Sequence, residues 1–307
     1  MKSPQPTPRT PRRVPRKAIQ GLKLTLTYAV LLTFTFVFVF PLLFMFAASL
    51  KDDLALFADL RSWKAFSPVG NVSWDNYRSV LERGSFQRYV LNSILITGST
   101  VGLSIFVNSM AAYALARLQW RGRTSVLGAI VALIVVPFDA IAIPLLLMVS
   151  RFHGLEWDSG GLHLTSSWFN TRIVQIVPFV ASAFSIFLFY QFFLDVPREL
   201  DEAARVDGAT PFQIYRKIIL PLARPVIATV AILQALGMWN AYLWPIMVVQ
   251  SSDARPVMPG IQEFYSRTPA WGQIMAYSSL VTLPLLALFI SFQRFFVRGI
   301  ATGGLKG

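Results

Sequence analysis

Six stretches of this chain are apolar over lengths that suit a bilayer, and each carries at most one charged residue. They run over 24–49, 89–115, 125–149, 172–194, 225–249 and 273–292. A helix crossing the hydrocarbon core needs ~20 such residues. Inside that core every backbone N–H and C=O must find a partner within the protein, which restricts apolar spans to helices or closed barrels. Runs of this length are helical rather than alternating. The composition agrees: 54% of residues are hydrophobic and only 14% are charged. In water such a chain would expose far more apolar surface than a soluble fold tolerates. The expected fold is therefore all-α, a polytopic membrane protein of about six transmembrane helices.

The formal charge of +13 first raises the question of nucleic acid, but its placement answers to topology instead. Of 28 Lys and Arg, 18 lie in 1–23, 116–124, 195–224 and 293–307, the alternate connections that include both termini. The segment from Arg117 to Arg123 has three positive charges and no acid. The positive-inside rule then puts both termini and the 195–224 connection in the cytoplasm. No basic stripe with interleaved aromatics marks a nucleic-acid surface. Residues 1–23 are rich in Pro, Thr, Arg and Lys without an acid, and are expected to form a disordered cytoplasmic tail that touches anionic lipid. The run after them is too long for a signal-peptide core, so cleavage is not expected. There is no cysteine, hence no disulfide and no thiolate metal site.

One connection is unlike a plain loop. From Asp195 to Pro221 the chain is charged and helical in pattern, with a small-residue turn in its middle. Pro197 suits a first helical turn, and Glu199, Asp201 and Glu202 follow where the helix dipole favours carboxylates. Leu200, Ala203, Ala204 and Asp207 share a face at spacings of three and four. Gly208 is placed to end that helix in the left-handed conformation. Thr210, Pro211 and Gln213 then read as cap, first helical residue and reciprocal capping-box partner of a second helix. The prediction is helix, glycine turn, helix, with a surface small enough for another protein to approach.

This segment resembles the cytoplasmic coupling loop of ABC importer permeases. That family's pattern is Glu-Ala-Ala, three residues, Gly, nine residues, Ile, one residue, Leu-Pro. Here Glu202, Ala203, Ala204, Gly208, Ile218, Leu220 and Pro221 fill it without a gap. Further matches, at Asn92-Ser93, from Ala112 to Arg117, at Ile143-Pro144, Trp239-Asn240 and Leu283-Pro284, and in the tail from Gln293, are similar to the carbohydrate-uptake branch, the MalG-like type. Two departures are Ala241, where the branch often has an acid, and a long polar connection over 150–171 containing His153, Trp157, Asp158, His163 and Trp168. The resemblance implies a permease that forms half of a sugar pathway. Its implied partners are a second permease subunit, in a heterodimer, two ATP-binding subunits and an extracytoplasmic solute-binding protein. It also implies ATPase coupling through Glu202, Ala203, Ala204, Asp207, Gly208, Ile218, Leu220 and Pro221. No catalytic site, cofactor or metal is expected. The chain has no Gly-x-x-x-x-Gly-Lys-Ser/Thr loop and no His-Glu-x-x-His element.

Polar residues inside the spans are the candidates for the translocation pathway: Asn92, Asp139, Trp239, Asn240 and Tyr242. Asn92, with Ser93, Asn108 and Ser109, is either interhelical glue or pathway lining. Asp139 is the one acid deep in a span, either functional or paired structurally. Trp239 and Asn240 fall near the middle of the fifth run, and aromatic faces beside amides suit sugar. Trp and Tyr also gather at membrane interfaces. The connection 50–88, with Trp63 and Trp74, reads either as a folded cap on the outer face or as a plain interfacial aromatic anchor. The rival readings are an importer for glycerol phosphate, a polyol or an amino acid, a channel independent of any ATPase, and a membrane enzyme. No basic residue lies deep in the runs to hold a phosphate, and no acid, base and metal-ligand cluster marks an enzyme.

Overall fold

The computed structural model describes residues 16–59, 61–82, 85–151, 154–158, 161–165, 167–265 and 268–303. His153 and the last four residues, Lys306 and Gly307 among them, lie outside these, as do residues 1–15 of the basic tail. The described chain is helical apart from one hairpin. Helix α1 (Arg16–Ser49) begins within the basic stretch, so the helical region reaches back to Arg16 rather than starting at 24. Lys, Arg, Ala, Ile, Gln and Leu propagate a helix readily from an apolar run. At the C-terminal end of α1, α2 (Asp53–Asp59), a 3-10 turn at Trp63–Phe66 and α3 (Asp75–Glu82) form a folded cap. Lys51, 1% exposed, fastens it by an ion pair to Asp59 (2.7 Å) and a bond to the Lys64 carbonyl. The long helix α4 (Ser85–Arg117) follows.

The next three spans are not continuous. α5 (Arg123–Ile134) and α6 (Phe138–Val149) meet at 106°. After them β1 (Gly154–Asp158) pairs antiparallel with β2 (Gly161–Thr165), Gly154 opposite Thr165. α7 (Ile173–Ile176), continued by a 3-10 turn to Phe179, bends 41° into α8 (Ala183–Asp195). The polar segment supplies α9 (Glu199–Val206), α10 (Pro211–Ile214), a π turn over Tyr215–Ile219 and α11 (Leu220–Leu222). From there the chain turns by 78° into α12 (Arg224–Trp239). Two short helices, α13 (Leu243–Val248) and α14 (Val257–Gly260), lead to α15 (Trp271–Gly303). Among the described residues three helices are thus long enough to span alone, and up to six spans result if each bent pair counts as one. The fifth run, read as one span over 225–249, stops at Trp239.

The breaks have local causes. Pro137 lacks the N–H that would carry α5 into α6, and Pro178 does the same before α8. Pro221 and Pro225 flank the bend before α12, and a π turn over Tyr215–Ile219 precedes it. Asn240 ends α12 and bonds the Leu236 carbonyl through its own amide at 2.8 Å.

α4 is the post around which the bundle packs. Its residues Ala112, Tyr113, Leu115 and Ala116 meet Phe189 and Phe193 of α8, Ile214 of α10, Ile219 of the π turn and Val230 of α12 in one core. At its other end Phe86 and Tyr89 join Trp239, Val257, Ile274 and Tyr277 in a second. Large apolar side chains stay exposed along α1, such as Leu26 and Phe38 (73%), and along α5. In a membrane these faces meet lipid or another subunit, not water.

Polar side chains of α4 satisfy the backbone that the breaks release. Asn108, fully buried, donates to the Val180 carbonyl at 3.0 Å and accepts from the Ser182 N–H at 3.0 Å, bridging the gap between α7 and α8. Removing it strands two partly buried backbone groups, at up to about 1–3 kcal/mol each. Asn108→Leu is therefore expected to lower the melting temperature of the detergent-purified protein. An unchanged melting curve would show that the break needs no side-chain support.

Candidate functional site

The Glu-Ala-Ala segment folds as the spacing predicts, with two adjustments. Gly208 has φ 79°, the left-handed turn. Thr210 and Gln213 exchange both bonds of a capping box, 2.8 Å from the Thr210 N–H to the Gln213 amide oxygen and 3.3 Å from the Gln213 N–H to the Thr210 hydroxyl. Pro211 occupies the first helical position. Pro197, however, precedes the first helix, which starts at Glu199 behind Arg198. The faces of α9 also differ from the expectation. Asp201 and Ala204 point inward, while Glu202, Ala203, Asp207 and Gly208 are exposed. Val206, 88% exposed, and half-exposed Phe212 make an apolar rim on an otherwise polar surface. Ile218 and Leu220 pack against the core beneath, and Pro221 is exposed at the bend.

Asp201 is the residue whose importance the sequence hid. Its carboxylate is buried beside the guanidinium of Arg117, the last residue of α4, at 3.4 Å. Arg117 also donates to the Val196 carbonyl at 2.5 Å, so one side chain ties the end of α8 to the start of α9. One and two helical turns back along α4, Tyr113 donates to the Pro211 carbonyl (3.0 Å) and Ser109 pairs with the Tyr215 hydroxyl (2.7 Å). Residues 109, 113 and 117 recur every four positions, which lines them up on one helical face. The whole segment is thereby bolted to α4. A cavity of about 630 Å³ opens between it and the α4–α5 connection, lined by Arg117, Trp120, Arg198, Asp201, Glu202 and Arg205.

The pathway candidates do not come together. Asn92 is 1% exposed, and its amide donates to the Asp253 and Arg255 carbonyls (2.8 and 2.9 Å) and accepts from Arg172 (2.9 Å). Nothing on it is left to meet a solute, so it acts as glue in this conformation. Trp239 is buried in the second core and donates to the Val281 carbonyl of α15 at 3.3 Å. Asp139 is exposed in the first turn of α6, at a helix break rather than deep in a continuous span. There the dipole of α6 favours its charge. Asn240 and Tyr242 are exposed in the unwound link after α12. Tyr242 accepts from the Gln262 amide at 3.0 Å. Of the five, Tyr242 alone lines the cavity of about 320 Å³ that lies against this link. Phe138, Phe179, Gln234, Gly237 and Trp244 are among its other walls. The sequence marked Gln234, Gly237, Tyr242 and Trp244 as one aromatic and amide cluster, but not that Phe138 and Phe179 share a cavity with them.

This arrangement of a helical bundle with an externally presented helix–glycine–helix segment defines a membrane transport subunit. Residues 104–302 match the family described as binding-protein-dependent transport system inner membrane component, and the chain belongs to that family. It is a multi-pass inner-membrane permease component of an ABC importer and not an enzyme. It is 31% identical to the arabinooligosaccharides transport system permease protein AraQ of Bacillus subtilis, over 77% of this chain and 80% of that one. It is 30% identical to the trehalose transport system permease protein SugB of Mycobacterium tuberculosis, over 87% of this chain and 92% of that one. Among solved structures, a chain of a bacterial ABC transporter involved in the import of the acidic polysaccharide alginate superposes with a TM-score of 0.75. That match has 22% identity and covers 94% of this chain and all of that one, a likeness of fold.

Breaking a buried ion pair by removing one partner leaves an uncompensated charge and costs about 3–5 kcal/mol. Asp201→Ala is expected to destabilise the protein by about that much, read as a lower melting temperature in detergent. Arg117→Met combined with Asp201→Leu removes both charges and should recover most of the loss. A double variant no more stable than Asp201→Ala would show that the pair does not behave as a buried charge couple.

Proposed function

We propose that this chain forms one half of the translocation pathway of a sugar importer, paired with a different permease. Two ATP-binding subunits would dock from the cytoplasm, and an extracytoplasmic binding protein would deliver the solute from the other side. The observation that carries the coupling role is the outward face of α9 and the turn after it. Ala203, Val206, Gly208 and Phe212 offer a small, partly apolar surface, while Arg117, Tyr113 and Ser109 hold the segment rigidly from behind. A rim that is apolar and exposed, on a segment too polar to enter lipid, fits a soluble partner. The segment is fastened to the bundle, so a partner that closes on ATP moves helices rather than a slack loop. The sugar assignment draws on relatives named for arabinooligosaccharides, trehalose, lactose and α-glucosides. The cytoplasmic placement of the segment and of both termini draws on the positive-inside asymmetry.

Gly208 gives the sharpest test of coupling. A Cβ built there meets nothing within 4 Å, so a side chain is tolerated in space and opposed by the backbone and by any docked partner. A left-handed conformation costs a β-substituted residue roughly 1–2 kcal/mol. In the complete complex in proteoliposomes, Gly208→Val is expected to cut ATP-driven uptake by about tenfold, the effect of about 1.4 kcal/mol on a rate. Uptake equal to wild type would remove the segment from the mechanism. Sidedness is checked separately. The chain has no cysteine, so Arg216→Cys gives a single thiol, expected to react with a membrane-impermeant maleimide in inside-out vesicles only. Labelling in right-side-out vesicles would invert the topology.

A further inference from the structure

We propose that this subunit itself binds the solute, in the cavity where its helix breaks converge, and that the ligand is a neutral saccharide ring. The inference rests on the sugar-importer reading and adds the site. The cavity measures about 320 Å³, at the lower end of the ~300–1,000 Å³ of small-molecule sites. All three interrupted regions of the bundle that adjoin it contribute a wall. Phe138 is the first residue of α6 after the 106° break. Phe179 closes the turn before the break into α8. Tyr242 lies in the unwound link between α12 and α13. Irregular backbone at membrane depth is tolerated where it is buried in protein or lines a cavity, and discontinuous helices are a recurring way to build transporter sites.

The chemistry of the walls selects the ligand. Phe138, Phe179 and Trp244 form a triangle of rings with centroids 5.5, 6.0 and 6.1 Å apart. The Trp244 indole N–H is already spent on the Val174 carbonyl at 2.9 Å, so this residue shapes the wall rather than donating. Gln234 uses its amide N–H on the Phe179 carbonyl at 3.0 Å, which leaves its amide oxygen as an acceptor. The Tyr242 hydroxyl accepts from Gln262 and keeps its own proton to give. An apolar aromatic wall with one acceptor and one hydroxyl suits a ring that has C–H faces and hydroxyl edges. Among the described residues no Lys, Arg or His lines the cavity, which disfavours phosphorylated or carboxylated solutes. Gly237 is one of the lining residues, and a Cβ built there meets nothing within 4 Å, so larger side chains can be introduced at that wall.

Two kinds of variant test this in the complete importer, reconstituted with its ATP-binding subunits, partner permease and binding protein. The probes are radiolabelled trehalose, lactose and raffinose. Gly237→Ala and Gly237→Leu fill the cavity stepwise, and uptake is expected to fall in that order. The leucine variant should lose about tenfold or more, since pockets discriminate by about that factor for a methylene or two. Tyr242→Phe removes a hydroxyl without adding bulk, so a fall of about tenfold there cannot be obstruction. It also decides the matter should Gly237→Leu fail to assemble. Wild-type uptake in both Gly237→Leu and Tyr242→Phe overturns the site. A wild-type complex that imports other solutes but none of these sugars removes the sugar reading, and with it the assigned ligand class. A complex that imports sugar while both variants match wild type leaves the importer reading standing and sinks the site alone.

Discussion

The buried pair between Arg117 and Asp201 is the joint on which the rest of the molecule turns. Taking two charges out of water costs several kcal/mol per ion, and attraction between them returns this only with good geometry and further bonds. Here the contact is long, 3.4 Å, and both Arg117 Nε and Asp201 Oδ1 lack a hydrogen-bond partner among the described residues. The pair is therefore poorly explained as a source of stability alone. It does explain position. Arg117 sits where three elements end or begin, and it binds the Val196 carbonyl and the Asp201 carboxylate together. Without it, the only polar contacts among the described residues that hold the segment against α4 would be the hydroxyl bonds of Tyr113 and Ser109, beside the apolar packing of Ile214 and Ile219.

The same logic runs through the membrane-depth part of the fold. The interrupted region between α7 and α8 has polar side chains from neighbouring elements on its freed backbone. Asn108 serves Val180 and Ser182, Gln234 serves Phe179, and Trp244 serves Val174. Where the chain folds back at the other end of α4, Asn92 takes the carbonyls of Asp253 and Arg255, and Ser93 accepts from the Val257 N–H. Amides are suited to this, because each carries donors and an acceptor at once. The polar residues of α4 are then best understood as backbone replacements. An unpaired peptide group in hydrocarbon is costly enough to account for their presence without any role in transport.

What the sequence disclosed follows from how local the signal was. The Gly208 turn and the Thr210–Gln213 box were legible because all their parts lie within a few residues. The apolar runs were legible because hydropathy needs no partner. The 106° break was not, since hydropathy is blind to backbone direction, although Pro137 marked the place. Trp239 and Asn240 were set in mid-span for the same reason, while the helix stops between them. The Arg117–Asp201 joint, 84 residues apart in sequence, requires the tertiary fold to be seen at all. In α9 a carboxylate favoured by the helix dipole and a carboxylate buried against an arginine look alike in one dimension, and only packing tells Asp201 from Glu202.

One element connects the two sites. α12 starts at the bend that follows the Glu-Ala-Ala segment and ends at Trp239, beside the cavity. Its 16 residues make a rod ~24 Å long at 1.5 Å per residue. Near its start Val226 and Val230 belong to the core that holds the segment, and near its end Gln234 and Gly237 line the cavity. Packed interiors transmit displacement because they compress little. A shift of the segment by a fraction of a helical turn therefore has a direct covalent route to the walls of the cavity. The π turn and the prolines at one end of the rod, and the unwound Asn240–Tyr242 link at the other, are the points where the regular helix is interrupted.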